Sequence, residues 1–156
     1  MSHVATVNVQ MTSIDALVKA CKQLGLEFVL NQTTYKWFGQ WVNDYSAEDA
    51  AYLNGIKPED YGKCIHAIRN PGDPDGYEIG LMAHPSGKGF LPVVDFWGMT
   101  TNKNHIAHVV GRDCRKLIQE YSAQVTIAHS KHLIAAGYRM QRQLLDNGTL
   151  NLVFEK

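Results

Sequence analysis

The chain has 156 residues, enough for one domain with a core of its own and short of two. Its 15 basic and 15 acidic side chains cancel, and because phosphate neutralisation by Lys and Arg supplies most of a nucleic-acid binder's affinity, the balance argues against nucleic acid as a partner. No run of about eighteen apolar residues is present to span a membrane, and three scattered cysteines, Cys21, Cys64 and Cys114, predict reduced thiols and not a disulfide framework.

The first ten residues lack the charged start and apolar core of a secretory leader, so a cytoplasmic protein is expected. Residues 3 to 11 alternate, with His3, Ala5, Val7, Val9 and Met11 against Val4, Thr6, Asn8 and Gln10, which predicts a half-buried strand. Thr12 or Ser13 then caps a helix with Ile14, Leu17, Val18, Cys21 and Leu24 as its inward stripe, ending at Gly25. Each large aliphatic buried there contributes about 1.5–3 kcal/mol before entropy is subtracted. Leu26 to Leu30 and Tyr35 to Val42 read as strands. The second belongs to the most aromatic stretch of the chain, Tyr35, Trp37, Phe38, Trp41 and Tyr45. An irregular insertion follows over about 43–75, with a capping box at Ser46 and a strand at Cys64 to Ile68 inside it.

Gly76 to Gly98 organises the rest as a β-hairpin. Its first arm puts Tyr77, Ile79, Leu81 and Ala83 on one face. His84-Pro85-Ser86-Gly87-Lys88 carries the chemistry of a turn. The return arm, Phe90 to Trp97, is apolar on both faces except for Asp95, as suits a central strand covered on both sides. A long helix is predicted from about Asp113 to Ala136 with Leu117, Ile118, Tyr121, Val125, Ala128 and His132 inward. Tyr138 to Leu145 and Leu150 to Phe154 are strands joined by Asp146-Asn147-Gly148, a strong hairpin signal. The economical arrangement is a single α+β domain over 1–156, a mostly antiparallel sheet with two main helices packed on one face.

Several of these segments together resemble a plastid and bacterial family of unknown function that includes the hypothetical chloroplast reading frame thirty-five proteins. The residues that carry the likeness are the opening strand and helix, Tyr77-Glu78-Ile79-Gly80-Leu81, Val93-Val94-Asp95 with Trp97, Gln119-Glu120-Tyr121-Ser122-Ala123, Gly137-Tyr138 and Asp146-Asn147-Gly148-Thr149-Leu150. The resemblance implies a cytoplasmic or stromal protein with no established reaction, and an accessory role, since bacterial members tend to be encoded near ATPases. It carries over no catalytic residue.

Candidate chemistry comes from histidine, of which there are seven, and from one carboxylate. His105 with His108 and His129 with His132 are both H-x-x-H pairs, which on a helix share a face and present two nitrogens to a metal. Neither pair has a cysteine at ligand spacing, and no bound metal or other cofactor is expected. Asp95, in the most apolar strand, must be bonded or take up a proton, and with His132 it is the candidate for acid–base work. Ser86-Gly87-Lys88-Gly89 fails as a phosphate loop, because Met82 stands where a glycine is needed and Gly89 where Ser or Thr is needed. Strand alternation puts Tyr35, Trp37 and Trp41 in the core and leaves Phe38 outside, with Tyr45 in the loop beyond. Phe38 and Tyr45 are therefore the candidate binding residues. No catalytic constellation is recognisable. The expected function is a non-catalytic interaction or assembly module, engaging a protein partner or a second copy. A small enzyme with a histidine/aspartate site, with or without a metal, is the alternative.

Overall fold

A computed structural model of the chain describes residues 4–7, 9–38 and 60–156. Five antiparallel strands form the main sheet in the order β1-β5-β4-β3-β2, where β1 is Val4–Thr6, β2 Glu27–Val29, β3 His66–Arg69, β4 Ile79–Ala83 and β5 Phe90–Asp95. The hairpin of β4 and β5 is at its centre, with Gly80 opposite Val93 and Ala83 opposite Phe90. The expected strand over residues 3 to 11 is interrupted. Thr6 pairs with Val93 and Met11 with Phe90, so five steps along the first strand match three along β5. The register therefore shifts between these two pairings, and an edge without one continuous register is a poorer template for another chain.

Helix α1, Ile14–Gln23, is bounded by local chemistry at both ends. The Ser13 hydroxyl accepts the Ala16 N–H at 3.1 Å. At the other end Leu26 N–H bonds to the Cys21 carbonyl and Gly25 N–H to that of Lys22, with Gly25 at φ 70°, the left-handed closure that glycine adopts without strain. The buried stripe is Ala16, Leu17, Ala20 and Cys21, while Ile14 and Val18 are exposed. The helix is rotated from the expected face because the two alanines allow close approach to the sheet, which the bulkier Ile14 and Val18 do not.

After α2, Ile106–Val110, the chain passes a short 3-10 turn and enters α3, Arg115–His129. Ser130 breaks the expected long helix, and α4, Lys131–Ala135, buries nothing. Leu117, Glu120, Tyr121, Ala123 and Gln124 are the buried residues of α3. Ala128 and His132 are exposed, so the inward stripe ends near Val125 and His132 does not reach the core. Helices α1 and α3 share one core with Ile68, Ile79, Leu81 and Val94, on one face of the sheet.

The opposite face is covered by a second cluster of Tyr35, Trp37, Tyr61, Leu91 and Val93. Alternation along β5 thus sends Val94 to the helices and Leu91 and Val93 to the aromatic cluster. Residues 35–37 are not a strand. They form a strap, joined to the chain before β3 by Tyr35 N–H to Gly62 O at 3.0 Å and Cys64 N–H to Thr33 O at 2.9 Å. Two glycines make the strap possible. A side chain on Gly80 would run into the Tyr35 ring, and one on Gly62 would come within 2.7 Å of Trp37 Nε1.

The last two strands, β6 Arg139–Leu144 and β7 Leu150–Glu155, form a sheet of their own. This ribbon leans on α3 through an ion pair of Arg142 with Glu120 at 2.7 Å and a bond from Gln119 Nε2 to the Gly148 carbonyl at 3.1 Å. The architecture is α+β, with the two main helices on one face of an antiparallel sheet as expected, and the closing hairpin standing beside that sheet.

Candidate functional site

β5 ends at Asp95, which is fully buried. A carboxylate there must find donors, since burial without them would cost several kcal/mol. It finds them in two backbone groups: Oδ2 accepts the N–H of Phe38 at 2.9 Å and Oδ1 that of Trp97, also at 2.9 Å. The rings of those two residues stack, with centroids 4.1 Å apart and planes 28° from parallel. One buried carboxylate therefore holds both members of an aromatic pair by their main chains. Trp97 is 38% exposed and Phe38 is half-buried. Of the two candidate binding residues, Phe38 lies in this pair and is sheltered by Trp97, and Tyr45 lies outside the described residues. Trp97, expected as the last residue of a strand, sits past the end of β5 and supplies the exposed ring.

A second carboxylate, not anticipated, fastens the same strap from β4's side. Glu78 is buried, and its Oε1 accepts the Lys36 N–H at 3.0 Å while Gln32 Nε2 donates to both oxygens at 3.2 and 3.1 Å. Its own N–H donates to the Lys36 carbonyl at 2.9 Å. Glu78 is as incongruous beside Tyr77 and Ile79 as Asp95 is beside Val94 and Phe96. An acidic residue heading an apolar strand was the available signal. On either side of Lys36, Tyr35 and Trp37 fall into the core, Trp37 meeting Tyr61 edge-on at 5.8 Å.

The histidine pairs have different surroundings. His105 is 2% exposed, and its Nδ1 accepts the Ala107 N–H at 3.0 Å, capping α2. The proton therefore resides on Nε2, assigned from that bond. Among the described residues Nε2 meets no group in hydrogen-bond geometry, although the carbonyls of Trp97 and Asp95 approach the ring. Tyr77 packs edge-on against it at 5.1 Å. Burial pushes His105 below the ordinary histidine pKa, and the neighbouring Asp95 charge pulls the other way. His108 is exposed, with Nε2 directed at the Met99 and Asn102 carbonyls at 2.7 and 3.1 Å. His129 and His132 are exposed on α3 and α4. Among the described residues no three His, Cys, Asp or Glu side chains gather into a group able to hold a metal.

Another histidine that stood out in neither pair is buried. His66 on β3 lies between Phe28 and Phe90, at 5.4 and 5.1 Å, and its Nδ1 accepts the Asn31 N–H at 2.9 Å. Burial raises the thiols of Cys21, Cys64 and Cys114 to about 12, so at neutral pH they are protonated and poor nucleophiles. The chain matches no family model, no curated protein and no solved structure. No helix of the described residues is long and apolar enough to cross a membrane.

Proposed function

We propose that the chain is a non-catalytic interaction module that engages a protein partner through the stacked Phe38 and Trp97. The observation that carries this reading is the double grip of Asp95, which holds the backbone of both rings and so fixes an exposed aromatic surface before any partner arrives. Preorganised aromatic side chains are favoured in binding hot spots because they give large contact area at little entropic cost. The family resemblance belongs to the same proposal and brings no competing reaction. The test is recovery of partners on tagged protein from cells of its own source. The parent retains a protein in stoichiometric amount, while Trp97→Ala and Phe38→Ala, both still folded, lose it. Equal recovery by parent and variants overturns the reading.

A histidine/aspartate enzyme is the second reading, favoured by the buried Nε2 of His105, which lies close to Asp95 and has no partner among the described residues. Elemental analysis of the purified chain tests its metal-dependent form. A stoichiometric transition metal that His105→Gln abolishes would promote it above the first.

A further inference from the structure

We propose that the outer edge of β7 is a self-association surface, pairing antiparallel with β7 of a second copy about a two-fold axis through Leu152. Two ribbons would then make one four-stranded sheet. This edge is a different surface from the Phe38 and Trp97 pair.

Hydrogen-bond phase decides which groups are available. Leu145 N–H bonds to the Thr149 carbonyl at 2.8 Å, and the register continues as Gln143 opposite Asn151 and Gln141 opposite Val153. In an antiparallel ladder every second pair exchanges both bonds. Asn151, Val153 and Glu155 therefore bond inward to β6, and Leu150, Leu152 and Phe154 turn their N–H and C=O groups away from it. Those outward groups meet no partner among the described residues. An unpaired strand edge of this length is a template for another strand.

The same three residues put their side chains on the face toward α3. Beside that edge lies a groove of about 490 Å³, whose lining includes Leu150 and Leu152 of β7 and Ile118, Ala123, Thr126 and the charged Arg115 of α3. Pairing about Leu152 sets Leu150 opposite Phe154 of the second copy, with side chains on the same face, so that ring enters the groove. Main-chain bonds and a side-chain pocket together are the pattern of strand addition.

Charge favours this edge over that of β6 and does not oppose a second copy. Pairing β6 with itself about Arg142 would set Arg142 against Arg142, a like-charge pair, and Arg139 guards the same edge. β7 carries a single charge, Glu155, which in the register about Leu152 stands opposite the neutral Thr149. Two copies with no net charge do not repel. The two-fold closes the assembly, because the edges left outside are the arginine-bearing β6 strands.

Sedimentation equilibrium of the full chain from micromolar to millimolar concentration tests this. The parent is expected to dimerise reversibly. Leu152→Pro removes an N–H that no partner among the described residues uses and is expected to remain monomeric, whereas Met140→Pro, at an outward position on β6 opposite Phe154, still dimerises. Should proline disturb the ribbon, charge substitutions on its polar face decide the matter. Position 151 of one copy stands opposite position 153 of the other, so Asn151→Lys/Val153→Lys abolishes the dimer and Asn151→Glu/Val153→Lys tightens it about tenfold through two opposite-charge pairs. A parent that is monomeric throughout, a folded Leu152→Pro that still dimerises, or the two charge variants acting alike would each overturn the proposal.

Discussion

At the scale of single residues, buried carboxylates hold the strap and the aromatic pair beside it. Asp95→Ala strands the N–H groups of Phe38 and Trp97, at about 1–3 kcal/mol for each buried donor left unpaired. Asp95→Asn keeps one acceptor oxygen and should lose less. Urea unfolding measures both, and near-ultraviolet circular dichroism follows the ring stacking. An Asp95→Ala protein that unfolds with the parent would contradict the double grip. The neighbouring aromatics should separate in the same assay. Trp37 is 1% exposed, so Trp37→Ala is expected to cost about 3–5 kcal/mol, against about 0.5–1.5 kcal/mol for the stacking lost in Phe38→Ala. His66 makes stability depend on pH. Burial lowers its pKa from the ordinary 6.5, and its Nδ1 must stay unprotonated to accept from Asn31. The unfolded chain therefore binds the proton first as the pH falls. The contribution of neutral His66 is complete above pH 6.5 and declines below it, down to the folded-state pKa. His105 shifts in the same direction. The urea midpoint should drop on acidification from neutral pH, and His66→Gln/His105→Gln should flatten that dependence.

At the scale of elements, α1 shows how far local chemistry extends. Ser13, the apolar spacing and Gly25 delimit it from within a few residues, which is why its bounds were legible. One further contact was not. The Tyr121 hydroxyl on α3 accepts the N–H groups of Thr12 at 2.9 Å and Ser13 at 3.0 Å, so one helix supplies a cap for the start of the other. No sequence pattern links residues 109 and 108 positions apart. Tyr121→Phe keeps the ring and removes only the acceptor, and it should destabilise by about 1–3 kcal/mol, near the cost of stranding a buried donor. Calorimetric or urea unfolding measures it, and Ser13→Ala at about 1 kcal/mol gives the local comparison. A Tyr121→Phe protein as stable as the parent would mean that water replaces the hydroxyl there.

For the molecule as a whole, the main issue is how the closing ribbon is held. Two strands alone are marginal in water. Here the buried Glu120 bonds to Arg142 of β6 and accepts from Gln124 at 3.2 Å. Arg142→Ala leaves that carboxylate with the amide alone. Hydrogen exchange should then quicken across β6 and β7 while the amides of β4 and β5 keep their protection. Equal quickening in both sheets would show that the ribbon and the five-stranded sheet unfold as one unit.

The sequence by itself determined the central hairpin, helix α1, the closing hairpin at Asp146-Asn147-Gly148 and the α+β class, because alternation, capping and turn chemistry act over a few residues and need no distant partner. It also marked β5 as covered on both faces, through its apolar run from Phe90 to Val94. Only the tertiary structure decided that residues 35–37 form a strap and not a strand. The backbone bonds of residues 35–38 go to two carboxylates, Glu78 and Asp95, and to the chain before β3, and those partners are remote in sequence. It decided likewise that Trp97 and not Phe38 carries the greater exposure, and that Ala16 and Ala20, smaller than Ile14 and Val18, face the sheet. The last strands stand apart for the same reason. Turn chemistry specifies that β6 and β7 pair with each other, but which surface they then cover depends on Glu120 and Gln119 of a helix that must already be in place.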